Sequence, residues 1–248
     1  MDLGLKNRVA IVTGGARGIG RAISRALAEE GAIALVADKD LAPAEALADE
    51  IKASGGTALA VQLDVTDRES IANLVATAKS QFGRIDVLVN NAGYTLNKPF
   101  LEMSPERWDE VIDVCLTGVY RMTHAVLPEM IDGKFGRVIN IASRAVTGTL
   151  HGTNYSAAKA GVVGFTKALA MEVGAHGITV NAVSPGLIRT ERVMQHAYFA
   201  ELDARWRAQS LVPRGGEPED IAHAVLYLAS VNSGFVTAEN IHVTGGLF

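Results

Sequence analysis

A doubly wound α/β fold, a parallel sheet of about seven strands with helices on both faces, is predicted from three observations. Short, β-branched apolar runs alternate with longer amphipathic runs along the whole chain. The short runs are apolar on both faces, as buried parallel strands are. The chemically unusual residues cluster where these runs end, which is where open α/β sheets place their ligands.

The first strand is residues 8–13, RVAIVT. The helix after it puts Ile19, Ala22, Ile23, Ala26 and Leu27 on one face and stops at Gly31. Further strands are predicted over 32–38, 58–64, 87–90, 137–142, 179–183 and 240–243, with helical patterns between them. Pro218 opens EDIAHAVLYLAS as a helix start. Alternation of this kind implies right-handed βαβ crossovers. Residues 188–216 mix aromatics with charges and keep no clean period, which reads as a substrate loop. No linker, repeat or low-complexity segment interrupts the pattern, so one domain is expected over 1–248.

Composition narrows the class. Hydrophobic residues at 48% and charged residues at 20% fit a soluble globular chain with a large core. A net charge of −4 with no Lys/Arg run argues against nucleic acid and anionic membranes. The single cysteine, Cys115, excludes an intrachain disulfide. The N-terminus lacks a secretion-signal pattern and no apolar run reaches membrane length, so a cytoplasmic location is expected. The six histidines form no ligand-spaced cluster, and no metal is expected.

Two motifs carry chemistry. TGGARGIG, residues 13–20, follows the first strand and opens a helix. Gly14, Gly18 and Gly20 allow a tight turn and a close approach of pyrophosphate, and the helix start offers free N–H groups. Asp38 ends the second strand 18 residues after Gly20, the place for a carboxylate that grips adenosine ribose hydroxyls. A 2′-phosphate there meets like charge, so NADH is expected over NADPH; Arg17 pulls the other way. The second motif is Ser143 with Tyr155-Ser156-Ala157-Ala158-Lys159. Tyr155 and Lys159 stand four apart, on one face of a helix. An ammonium beside a phenol makes tyrosine usable as general acid and base, and Ser143 can hold the substrate oxygen against it. A buried helix with a snorkelling lysine is the bland reading of the same residues.

Taken together, TGGARGIG, Asp64-Val65, Asn90-Asn91-Ala92-Gly93, Ser143, YSAAK and PGLIRT (185–190) resemble the short-chain dehydrogenase/reductase family in order and spacing, over essentially the whole chain. The resemblance implies a Rossmann-type fold, a homotetramer, and hydride transfer between NAD(H) and a secondary alcohol or ketone. It assigns Tyr155 as acid/base, Lys159 as its partner and ribose ligand, and Ser143 as substrate-orienting. The cofactor is implied to lie against Gly14, Arg17, Gly18, Ile19, Gly20, Asp38, Asp64, Val65, Asn90, Ala92, Gly93, Pro185, Gly186, Ile188 and Thr190. The departure is Cys115, where the family usually has an asparagine that completes a tetrad. Two alternatives stand beside the main reading: a 3-oxoacyl carrier-protein reductase using NADPH, and a non-catalytic dinucleotide-binding protein. The substrate is expected to be a small alcohol or ketone of unknown identity.

Overall fold

The computed structural model describes residues 2–247. Its elements run β1 (Val9–Thr13), α1 (Gly18–Glu29), β2 (Ile33–Asp38), α2 (Leu41–Ala53), β3 (Thr57–Gln62), α3 (Arg68–Phe82) and β4 (Val87–Asn90). There follow α4 (Pro105–Ile112), a π turn (Asp113–Thr117), α5 (Gly118–Asp132), β5 (Gly136–Ile141), α6 (Thr153–Val173) and β6 (Ile178–Pro185). The chain closes with α7 (Glu191–Met194), α8 (Phe199–Gln209), α9 (Pro218–Ala229) and β7 (Asn240–Val243). All strand pairs are parallel, in the order β3-β2-β1-β4-β5-β6-β7. This is the doubly wound arrangement that the alternation predicted.

Strand alternation divides the core in two. Val9 and Ile11 of β1 share a core cluster with α3, α5 and α6 through Leu74, Met122, Val126 and Ala170. Ala10 and Val12 face α1 and α9 through Ile23, Leu27, Ile221 and Val225. Successive side chains of a strand point to opposite faces, so helices on both sides bury every residue of β1. The expectation of strands apolar on both faces fails at the two edges. Residues of β3 and β7 are mostly half-buried, because an edge strand lacks a neighbour and full helical cover.

Most strand ends shift by a residue or two, and three differences from the sequence reading bear on the site. Strand β3 ends at Gln62, not Asp64; Asp64 instead turns the chain by accepting from Thr66 N at 2.9 Å and Thr66 Oγ1 at 2.6 Å. Strand β6 runs through Pro185, beyond its last pair with β5 (Ile141–Val183), where a missing amide loses no bond to β5. The 188–216 segment is not irregular: it holds α7 and α8, and its ends meet in a parallel bridge between Ile188 and Gly216. Its helical period was hidden because Asp203 and Trp206 turn inward from an otherwise polar helix. Arg189 binds Asp203 through two bonds of 3.0 and 2.8 Å, and Arg207 adds a third at 3.0 Å. Among the described residues no helix is long and apolar enough to cross a membrane.

Candidate active site

The chain reverses its direction of winding between β1 and β4, so a crevice opens at the carboxyl ends of the strands there. Two joined clefts occupy it, of about 500 and about 400 Å³. Gly14, Asp38, Ala92, Gly93 and Tyr94 line both and mark their junction.

The glycine turn forms one wall. Gly14 and Gly18 have φ of +59° and +52°, which side chains rarely tolerate. A Cβ at Gly20 would sit 2.0 Å from Gly14 O, so only glycine lets the helix start close on the turn. Asn91 clips the turn to β4: its Nδ2 donates to Thr13 O and Gly14 O, both at 2.9 Å. Helix α1 has no side-chain N-cap and no acid in its first turn. Its leading N–H groups are therefore free for an anion, and this cradle fits a pyrophosphate.

Carboxylates crowd the smaller cleft. Asp38 Oδ2 accepts from Ala16 N at 3.1 Å and Oδ1 from Asp40 N at 3.2 Å, which fixes the carboxylate beside the turn. Both nearby cations are engaged: Arg17 with Asp40 at 3.0 Å and Lys39 with Asp64 at 2.8 Å. The bond from Lys39, then that from Thr66, holds the Asp64 carboxyl down at about 2. Val65 lines the same cleft. Tyr94 stands at the junction and donates to Glu110 at 2.7 Å. Burial, and then that carboxylate, push its hydroxyl well above the usual tyrosine range.

The other cleft gathers Ser143, Tyr155 and Lys159. Ser143 follows β5, and its Oγ accepts from Ala145 N at 3.0 Å. That uses an acceptor site and leaves the hydroxyl proton to point elsewhere. Tyr155 and Lys159 share one face of α6; Nζ lies 5.6 Å from the Tyr155 ring centre and donates to Ile141 O at 2.6 Å. Cys115 is fully buried on the π turn, its thiol donating weakly to Tyr94 O at 3.5 Å. A Cβ placed on Gly93 would lie 3.2 Å from Cys115 Sγ and 3.6 Å from Lys159 Nζ. The helix carrying Cys115 thus passes beside the lysine.

Gly14, Arg17, Gly18, Ile19, Gly20, Asp38, Ala92, Gly93, Pro185, Gly186, Ile188 and Thr190 line the larger cleft with Ser143, Tyr155 and Lys159. Asp64 and Val65 line the smaller one. Asn90 lines neither. It is buried, and its Nδ2 donates to Thr123 Oγ1 at 3.0 Å and Asn140 Oδ1 at 2.8 Å, cross-linking β4, β5 and α5. A strand-end polar residue reads the same in sequence whether it faces a cleft or a helix. The sequence alone does not mark Tyr94 and His196 as cleft residues, and it leaves Arg192 between a contact for an anionic ligand and a solvated helix face. Tyr94 directly follows the Asn90–Gly93 motif, a signal that extending the strand-end argument by one residue would have caught. Arg144 turns away from the cleft, its guanidinium 5.1 Å from the Trp206 ring centre.

Residues 14–248 match the family model described as enoyl-(acyl carrier protein) reductase. The 3-oxoacyl-[acyl-carrier-protein] reductase FabG of Haemophilus influenzae is 43% identical over 98% of this chain and 99% of its own. A (2S)-[(R)-hydroxy(phenyl)methyl]succinyl-CoA dehydrogenase subunit, BbsD of Thauera aromatica, is also 43% identical, over 98% of each chain. A solved structure from Beutenbergia cavernae, provisionally identified as an NAD(P)-dependent gluconate 5-dehydrogenase with NADP bound at low occupancy, superposes with a TM-score of 0.93 at 35% identity, covering 99% of this chain and 98% of that one. The chain belongs to the short-chain dehydrogenase/reductase family and is an NAD(P)-dependent oxidoreductase acting on CH–OH groups.

Proposed function

We propose that this short-chain dehydrogenase/reductase interconverts a keto and a hydroxy group on an acyl thioester, with NAD(H) as its preferred partner. The observation that carries the reading is the meeting of Ser143, Tyr155 and Lys159 in one cleft with the glycine turn. When bound, the nicotinamide supplies or accepts the hydride. The chain's own residues handle the oxygen. Ser143, its acceptor site engaged by Ala145 N, donates to the substrate oxygen and orients it. Tyr155 gives its proton to that oxygen in reduction and takes it back in oxidation. Lys159, locked by Ile141 O, keeps an ammonium at the tyrosine ring. Two hydroxyls lining one cleft suit a carbonyl oxygen; the carbon–carbon double bond of an enoyl substrate offers no such acceptor at the reacting carbons.

The acyl thioester class is favoured by the two relatives at 43% identity, one named for 3-oxoacyl chains and one for a hydroxy-bearing acyl-CoA. The sequence alone places a 3-oxoacyl carrier-protein reductase using NADPH second, behind an unspecified alcohol or ketone; the relatives bring its substrate class forward. A sugar acid is the second reading, favoured by the gluconate dehydrogenase structure. Initial rates with NADH and either acetoacetyl-CoA or 5-ketogluconate separate them. The account expects acetoacetyl-CoA to win in kcat/KM by about a hundredfold, roughly 2.7 kcal/mol of barrier. A preference for the sugar acid overturns it.

The NADH preference rests on Asp38 and on the ion pairs that engage Arg17 and Lys39, which leave a 2′-phosphate facing carboxylates. The family resemblance adds a homotetramer. Exposed Tyr120 on α5 and Met171 on α6 support it as apolar surface for a second copy, and sedimentation at micromolar concentration checks it.

A further inference from the structure

A bound dinucleotide would set its pyrophosphate against the glycine turn, whose backbone offers neutral N–H donors. A phosphate diester pair also calls for a cation. The cations lining the larger cleft are mostly committed. Arg17 pairs with Asp40, Lys159 is held by Ile141 O, and the His196 ring stacks on Tyr198 at 5.4 Å. Arg192 is different. Among the described residues it has no carboxylate partner, and its guanidinium lies 5.7 Å from the centre of the Tyr94 ring. Tyr94 belongs to both clefts, and its hydroxyl is fixed by Glu110. Helix α7, which carries Arg192, is seated directly on the turn. A Cβ at Gly18 would touch Thr190 Cγ2 at 3.1 Å, and Thr190 Oγ1 caps the helix by accepting from Val193 N at 3.3 Å.

We propose that Arg192 is a cofactor-positioning residue that binds the pyrophosphate of the dinucleotide, and that with Tyr94 it forms a clasp across the middle of the cleft. The planar guanidinium suits paired phosphate oxygens, and the ring face of Tyr94 holds it over the cleft. The substrate loop thereby reports on the cofactor as well as on the substrate. The inference rests on the dinucleotide part of the reading above and is independent of the acyl substrate.

Calorimetric titration of the unmodified chain and of Arg192→Met with NADH, ADP-ribose and adenosine tests it. ADP-ribose carries the pyrophosphate without the nicotinamide, and adenosine carries neither. The clasp predicts that Arg192→Met raises the Kd of NADH and of ADP-ribose by about tenfold while that of adenosine stays within about twofold. Added salt should weaken ADP-ribose binding to the unmodified chain more than to the variant. Unchanged affinity for NADH and ADP-ribose overturns the clasp, and a rise in substrate KM alone moves Arg192 to the substrate. If the unmodified chain binds neither NADH nor ADP-ribose, the dinucleotide reading itself falls. Arg192 is exposed, so an unchanged unfolding midpoint certifies the variant as folded.

Discussion

At the amino edge of the sheet, Asp86 is 1% exposed and accepts from Arg8 Nη1 at 2.7 Å, Arg84 Nε at 2.8 Å and Val9 N at 2.9 Å. Phe135 lies between two guanidiniums, 3.9 Å from Arg8 and 4.3 Å from Arg137. Arg137, itself buried, donates to Ser230 O at 3.1 Å and Gly136 O at 2.9 Å. At the carboxyl edge Ser143 and Arg192 line a cleft, each held by a single contact. Ser143 retains its proton, and Arg192 has only an aromatic face. The two edges share strands, core and residue types. The difference teaches that a closed set of charges is spent on holding the fold, whereas an incompletely satisfied set, fixed from behind, is available to ligands.

Breaking the closed edge should give the largest effect on stability. Asp86→Ala leaves two arginines without their carboxylate, and denaturant unfolding should show a loss of about 3 kcal/mol. Its kcat, measured while folded, should be unchanged; a fall in kcat at full stability would erase the distinction between the edges. On the open edge, Asp38→Ala should cut the NADH/NADPH ratio of kcat/KM about tenfold, or roughly 1.4 kcal/mol. Equal use of both cofactors by the unmodified chain would refute the role given to Asp38.

Asp64 sharpens the comparison, since it sits on the open edge yet is paired. Its carboxyl titrates at about 2 in the fold, chiefly because of Lys39, against about 3.9 in an unfolded chain. The folded value is depressed, so its contribution is complete above about pH 4 and is lost as pH falls toward 2. With Lys39 exposed and screened by solvent, Asp64→Asn should cost only about 1 kcal/mol at pH 7. The gap from the unmodified chain should close on acidification; a gap that persists at the acid end would assign the effect to packing. The smallest effect is expected at Cys115. Its thiol makes one weak bond, so Cys115→Ser should keep most activity and Cys115→Asn should change kcat by less than about tenfold. A larger gain in Cys115→Asn would mean that the thiol limits proton transfer.

Much of this arrangement was legible in the residues. Apolar runs located all seven strands within a few residues, because buried parallel strands leave little choice of composition. Gly14, Gly18 and Gly20 could be read because their backbone angles and close contacts admit nothing else. Asn90 shows the limit: its place at a strand end was visible, but only tertiary packing turns it toward Thr123 and Asn140. Asp203 and Trp206 fold inward because Arg189 and Gly186, in the segment just after β6, meet them across the loop. The π turn that sets Cys115 beside Lys159 adds a residue to one helical turn, and Gly118 after it is too common a residue in helical patterns to announce it. Tyr94 and Arg192 meet across the cleft from segments almost a hundred residues apart, a pairing no local pattern encodes.

The central claim is that Tyr155, on the open edge, transfers the proton that accompanies hydride exchange between nicotinamide and substrate. Its most direct test pairs turnover with cofactor binding in Tyr155→Phe, which removes one hydroxyl and keeps the ring. The account predicts a fall in kcat of about a thousandfold or more, as for a lost general acid, with the Kd for NADH within about twofold of the unmodified chain. A variant that retains turnover within about tenfold of the unmodified chain would contradict it and place the acid elsewhere.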